Sequence, residues 1–312
     1  MEAVARTAVG KRKNAGMSET SAQTHRRGVL LVAAAAICWS TGGLIARFIT
    51  VDPWTQVCWR GAFSAACLLA FLLWRDGRQT WQLFARQGLP GLAVALCFAA
   101  ASIAFVIALR HTTVATILVI QSTAPLIAAL VAFLWMREAI SLTRGLAMLL
   151  ALTGVTIMVS QREMGADPVG LLLAGIIPVA LAMATVVTRR FQQIRMTPAC
   201  CLSGMIMALV GALLGAPASV DAANIGLLFL FGAGQLAIGL ICFSIGARLL
   251  PAGEAALIGL LECILGPIWV LIFIGEDPGF YAILGGTLVV TAVAWNIIAD
   301  ARRNQRPAPL VG

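Results

Sequence analysis

AGEAALIGLLECILGPIWVLIFIGE, residues Ala252–Glu276, is mostly apolar over the 23 residues up to Ile274. That is long enough to cross a bilayer as a helix. Glu254 lies at the start of the run, where water or headgroups solvate it, whereas Glu262 lies at its centre. A charged side chain at mid-bilayer costs roughly 2.5–3.5 kcal/mol on insertion scales, so it is expected to face protein or a wet cavity. Five residues on, Pro267 removes a helical hydrogen bond and frees the carbonyl of Cys263. An interruption of the helix is expected there. On a continuous helix Ala255, Gly259, Glu262, Gly266 and Trp269 share one face. Small residues around one acid, with an aromatic two turns away, read as the wall of a cavity.

The whole chain has the same character. Of its 312 residues 60% are hydrophobic and 11% charged, with a mean hydropathy of +0.94. Those values place it among all-α polytopic membrane proteins and not among soluble domains. The net charge of +9 forms no basic stripe with interleaved aromatics, which argues against nucleic acid as a partner. Seven of the eight cysteines lie within apolar runs, there is no C-x-x-C pair, and His25 and His111 are the only histidines. A metal or redox site therefore has no ligand set, and no cofactor is expected. No H-E-x-x-H, Walker A or G-x-S-x-G pattern occurs, so the chain carries no enzyme signature.

Ten apolar runs can be counted, near 28–49, 55–74, 89–109, 113–136, 143–160, 169–188, 199–217, 225–247, 252–274 and 279–299. The fifth is the shortest, and a nine-span count would omit it. Residues 1–27 read as a disordered basic tail and residues 300–312 as a second tail, with Met17 an alternative start to Met1. His25-Arg26-Arg27 before an alanine-rich run resembles a signal-peptide n-region, but the apolar run continues to Ile49 and reads as an uncleaved first span. Basic residues test the count. With the N-terminus in the cytoplasm, eighteen of the twenty-two fall on inside segments and two, Arg110 and Arg162, on outside ones. Arg47 and Arg60 fall within spans. This split predicts ten spans with both termini cytoplasmic.

The fourth and ninth runs echo each other. IQSTAPLIAALVAFLWMRE (Ile120–Glu138) and LECILGPIWVLIFIGE (Leu261–Glu276) each carry a proline, Pro125 or Pro267, and each ends in an acid. Each is followed by a glycine-containing apolar run. Two five-span halves, residues 28–160 and 169–299, would insert with opposite orientation because five is odd. Inverted repeats of that kind place substrate sites at mid-membrane beside interrupted helices.

Several pieces carry a resemblance to a known family: Trp39-Ser40-Thr41 in the first run, Arg60 in the second, Pro125 through Glu138, and MATVVTRR before the seventh. Glu262-Cys-Ile-Leu-Gly-Pro267-Ile-Trp269, leading to Gly275-Glu276-Asp277-Pro278, is the most specific. Over residues 28–299 the chain resembles the drug/metabolite transporter superfamily, specifically the EamA-type permeases with two five-helix repeats. Family members commonly carry a glutamate at the place of Glu262; Cys263 departs from them, since many relatives have proline there. The resemblance implies secondary active transport of small organic metabolites, often export, in a cytoplasmic (inner) membrane, without fixing the substrate.

Glu262 is the sharpest candidate. Low dielectric favours the protonated carboxyl, so Glu262 could load and release a coupling proton, or it could stay charged and hold a substrate ammonium. A protonated acid that merely tightens helix packing is the plain alternative. Arg60 could hold a substrate carboxylate, pair with Glu262, or snorkel to the outer headgroups. Its counterpart seven residues after Pro198 would be the uncharged Met205. Gln121 stands four before Pro125, beside the carbonyl that the proline frees, and Gln235 interrupts a small face formed by Gly232, Gly239, Cys242 and Gly246. Trp39 and Ser40 could line a substrate path with Trp269. Glu138, Glu276, Asp277 and Asp52 lie at loop edges and read as solvated.

The expected activity is alternating-access transport of small organic metabolites, amino acids or amphiphilic compounds, with protons as a candidate coupling ion. A passive channel or facilitator is the main alternative. A membrane-embedded enzyme would need a nucleophile with its base, or metal ligands, inside the spans. Substrate identity, direction and oligomeric state are not encoded in any recognisable pattern.

Overall fold

The structure, a computed structural model, describes residues 23–137, 142–160, 167–191, 195–250, 255 and 258–304. Residues 1–22 and 305–312, together with Glu138, Arg162 and Glu254, lie outside that set. Among the described residues every regular element is a helix. In order these are α1 (Gln23–Phe48), α2 (Pro53–Asp76), the short α3 (Gln79–Ala85), α4 (Gly88–Ala108), α5 (Val114–Gln121) and α6 (Ala124–Met136). They continue with α7 (Leu142–Ser160), α8 (Pro168–Arg190), α9 (Met196–Leu214), α10 (Ala222–Gly246), α11 (Leu261–Ile274) and α12 (Phe280–Asn304). Helix α1 begins at Gln23 and α12 runs to Asn304, so both reach into flanks that composition alone reads as tails.

Eight helical stretches among the described residues are long and apolar enough to cross a membrane. The stretch 114–135 is α5 and α6 taken together. Two further apolar helices are shorter, 145–157 within α7 and the 14 residues of α11. These are the fifth and ninth runs of the sequence. Large side chains such as Trp74, Leu149, Leu172, Leu209 and Phe273 point outward all round the molecule. Outward leucines and aromatics suit a hydrocarbon solvent.

Helix starts are encoded by acid–proline pairs. Asp52 Oδ1 accepts hydrogen bonds from the N–H groups of Trp54 and Thr55, each at 3.0 Å, with Pro53 in the first turn of α2. Asp167 caps α8 in the same way through Val169 N–H at 3.0 Å, ahead of Pro168. Proline is suited to this position because its missing N–H would have no helical partner. Gly77 and Gly275 close α2 and α11 at φ 55° and 76°, a conformation that costs glycine little.

Packing inside relies on small residues, as expected where lipid competes for every large side chain. The most extensive contacts join α2 to α9, α4 to α8 and α7 to α12, and α5 also packs on α11. The α2–α9 contact is reciprocal. A Cβ on Gly61 would lie 2.6 Å from both Gly204 O and Ala208 N, and one on Gly204 would lie 2.9 Å from Gly61 O and 3.0 Å from Ala65 N. Gly211 meets the backbone of Cys58, and Gly215 that of Thr55. Met205, the counterpart of Arg60 expected from counting after the prolines, points outward, whereas Arg60 is buried.

Candidate functional site

Four helices lose regularity in the segments that carry the candidate residues. In α1 a turn falls at Thr41, where the Ser40 and Thr41 hydroxyls bond back to Ile37 O and Cys38 O, each at 2.7 Å. Between α5 and α6 the hydroxyls of Ser122 and Thr123 do the same to Val119 O and Ile120 O, each at 2.7 Å. Serine and threonine back-bonding offers the backbone an alternative to the helical ladder and bends it. Pro125 sits in the first turn of α6, just past the break. Residues Leu230–Ile238 of α10 are wound as a π-helix, a geometry frequent at functional sites.

The ninth run corrects an expectation. Pro267 lies within α11, and the interruption comes seven residues earlier, at the turn of Leu260. A proline in a helix interior removes one hydrogen bond, and α11 carries on past that loss to Ile274. The break at Leu260 puts Glu262 in the first turn of a new helix, so Glu262, Gly266 and Trp269 share its face while Ala255 and Gly259 precede it. Irregular backbone at membrane depth is tolerated only where protein covers it or water reaches it.

These breaks bring the candidates together. Gln121 Nε2 donates to Glu262 Oε1 at 3.3 Å. Trp269 Nε1 donates to Ser40 Oγ at 3.0 Å. Arg60 Nη2 donates to Gln235 Oε1 at 3.1 Å, and Gln235 Nε2 donates to Trp39 O, also at 3.1 Å. Three bonded groups thus join α1, α2, α5, α10 and α11, and every residue singled out for binding belongs to one of them. Arg60 and Gln235 are buried, at 4% and 5% exposure. The guanidinium points inward and does not snorkel. Glu262 is half-buried.

Sequence reasoning missed the aromatic partners. The Arg60 guanidinium stands 4.2 Å from the Phe231 ring centre and 5.5 Å from that of Phe105, within cation–π range. Trp39 packs on Phe243 with ring centres 5.3 Å apart. Glycines let these groups approach: Gly232 lies against the Arg60 backbone, Gly239 against the Trp39 ring and Gly42 against the Gln235 amide. Phe231 belongs to no motif and stands four residues before Gln235; only the glycines that follow it signalled close helix contact.

A second cluster lies near the ends of α1 and α11. Glu276 is not solvated as its loop-edge position suggests: its side chain is 19% exposed and its Oε2 pairs with Arg47 Nη2 at 3.0 Å. Its other oxygen accepts the N–H of Val114 at 3.0 Å, at the start of α5. Arg47 also donates to the carbonyls of Leu109 and Thr112, at 2.6 and 3.1 Å. The pair therefore ties α1, the α4–α5 turn and the end of α11 together. Nearby, Asp167 accepts from the Val169 N–H and bonds His111 Nδ1 at 2.9 Å. These contacts, the Val169 N–H foremost, hold the Asp167 carboxyl below the usual carboxylate range.

Comparison with known proteins agrees with this architecture. Residues 26–160 match the model of the EamA-like transporter family, which belongs to the drug/metabolite transporter superfamily. No curated protein matches the sequence. A protein of known crystal structure superposes with a TM-score of 0.62 at 19% identity, over 89% of this chain and 99% of its own. At that identity the likeness speaks for the fold alone. The chain is a multi-pass membrane protein.

Proposed function

We propose, from the match of residues 26–160 to the EamA-like transporter family, that this chain is a secondary active transporter of small organic solutes. It works by alternating access around the Glu262–Gln121 and Arg60–Gln235 groups. The observation that carries the reading is the convergence of polar side chains from five helices on breaks in otherwise apolar spans. Such a site offers a solute hydrogen bonds and two opposite charges at membrane depth, which lipid-facing packing would not require.

Ten spans in two inverted five-helix repeats fit the packing. Helices α2 and α9, α5 and α11, and α7 and α12 are the second, fourth and fifth spans of each half set against their counterparts. The reciprocal Gly61–Gly204 contact is what a two-fold relation between halves would produce at its axis. Both termini then face the cytoplasm of an inner membrane, an orientation that the distribution of basic residues supports. Reporter fusions at residues 161–166 and at the C-terminus are expected to report opposite sides of the membrane. The same side for both would overturn the ten-span arrangement.

Glu262 is the coupling group in this reading. It exchanges a proton as the solute site alternates, and Gln121 orients its carboxyl. Export of the solute is the direction that the family suggests. The test is counterflow with purified protein in liposomes, screened over labelled metabolites, amino acids and amphiphiles. A carrier loaded with unlabelled solute transiently concentrates the labelled one. A channel only equilibrates it, and that outcome for every solute would overturn the proposal.

A further inference from the structure

Arg60 has a bonding capacity that the protein leaves unfilled. Its side chain is 4% exposed, and Nη2 donates to Gln235, yet Nε and Nη1 are out of contact with solvent and have no hydrogen-bond partner. A guanidinium carries five N–H donors, and unpaired charged donors in a low-dielectric interior are costly. The nearby acid does not meet this need. Glu262 lies within electrostatic reach of Arg60, but no ion pair joins them, and the hydrogen bond it makes is with Gln121. Arg47 bonds Glu276 and two carbonyls, which leaves Nε as its one buried nitrogen without a partner. Phe231 and Phe105 approach the guanidinium within cation–π range.

We propose, resting on the transport reading above, that Arg60 receives the carboxylate of the transported solute, which is therefore a small organic acid with an apolar body. The acid oxygens take the unfilled N–H groups, where a planar guanidinium suits a planar carboxylate. Gln235 holds Nη2 and fixes the plane, and Phe231 and Phe105 flank the apolar body. One cation calls for one negative charge. A doubly charged phosphate would add a negative charge beside Glu262 without a second cation to hold it. Gln235 is thus a positioning residue, and Arg60 is the group that selects the solute.

The proposal is tested by binding to the purified full-length protein, followed by intrinsic tryptophan fluorescence. The probes are three acid/amide pairs: hexanoate, 3-phenylpropionate and indole-3-acetate, each against its primary amide, with 3-phenylpropylamine as the cationic control. At least one acid is expected to bind about tenfold or more tighter than its amide, with the amine weaker still. Arg60→Gln should bring acid and amide within about twofold. Glu262→Gln should keep or strengthen the acid preference, because it removes a competing anion. Where Arg60→Gln does not fold, Arg60→Lys serves: it keeps the charge, loses the planar fork, and should cut the preference several-fold. Three results would overturn the proposal: no acid preferred over its amide, the amine preferred, or a preference that survives the Arg60 substitutions. Acid binding through Arg60 without counterflow would overturn the transport reading and leave the carboxylate site standing. Counterflow indifferent to solute charge and to Arg60 would do the reverse.

Discussion

Glu262→Gln is expected to abolish concentration of solute against a gradient while leaving binding and counterflow in place. The substitution keeps shape and hydrogen-bonding capacity toward Gln121 but removes the proton that can come and go. A pH difference of one unit stores about 1.4 kcal/mol per proton, enough to sustain about a tenfold solute ratio. The parent in liposomes should approach that ratio for each proton coupled, and Glu262→Gln should fall to about one. Counterflow requires no net proton movement, so its rate should survive. If Glu262 were instead a fixed anion holding a substrate ammonium, neutralising it would weaken binding and counterflow together. Unchanged uphill transport would leave Glu262 with packing alone.

The second large effect is structural. Gly211→Val is expected to prevent stable assembly, because a Cβ at Gly211 would run into Cys58 N and sit 2.6 Å from Trp54 O. Those are backbone atoms of α2 and cannot swing aside. Overpacking against backbone costs about 1–3 kcal/mol or more, and here it would wedge apart the α2–α9 contact on which Arg60 depends for its position. Gly175 in α8 is the control, since nothing lies within 4 Å of a Cβ built there. Gly175→Ala should leave stability unchanged or raise it by about 0.5–1 kcal/mol through helix propensity. Heating detergent-solubilised variants and following the monodisperse fraction by size exclusion distinguishes the two. Equal losses would show that close backbone approach is not what holds α2 to α9.

Much of this architecture is legible in the chain because a bilayer imposes length and polarity limits on each span. The apolar runs and the polar members at Trp39, Ser40, Arg60, Gln121, Gln235 and Glu262 all stand out against a background that excludes polar groups. The bonds among them do not. Trp269 and Ser40 lie 229 positions apart, and which hydroxyl meets which indole depends on how α1 and α11 cross. One of the two prolines misled and the other did not. Pro125 adjoins a break because Ser122 and Thr123 already turn the backbone there, whereas Pro267 lies within α11 and the turn falls at Leu260. Glu276 misled because a loop-edge acid is usually solvated, and only the fold brings Arg47 and the Val114 N–H to it. The π-helical stretch around Gln235 follows from tertiary contact and has no sequence signature beyond its glycines.

We propose that a gradient drives solute through the site around Glu262 and Arg60. It is tested most directly by uphill flux of the solute that gives counterflow, in liposomes carrying the purified parent protein under an imposed pH difference. Accumulation above the equilibrium ratio is expected, scaling with the pH difference and collapsing to one when a protonophore is added. A solute ratio that settles at one whatever the pH difference would contradict it.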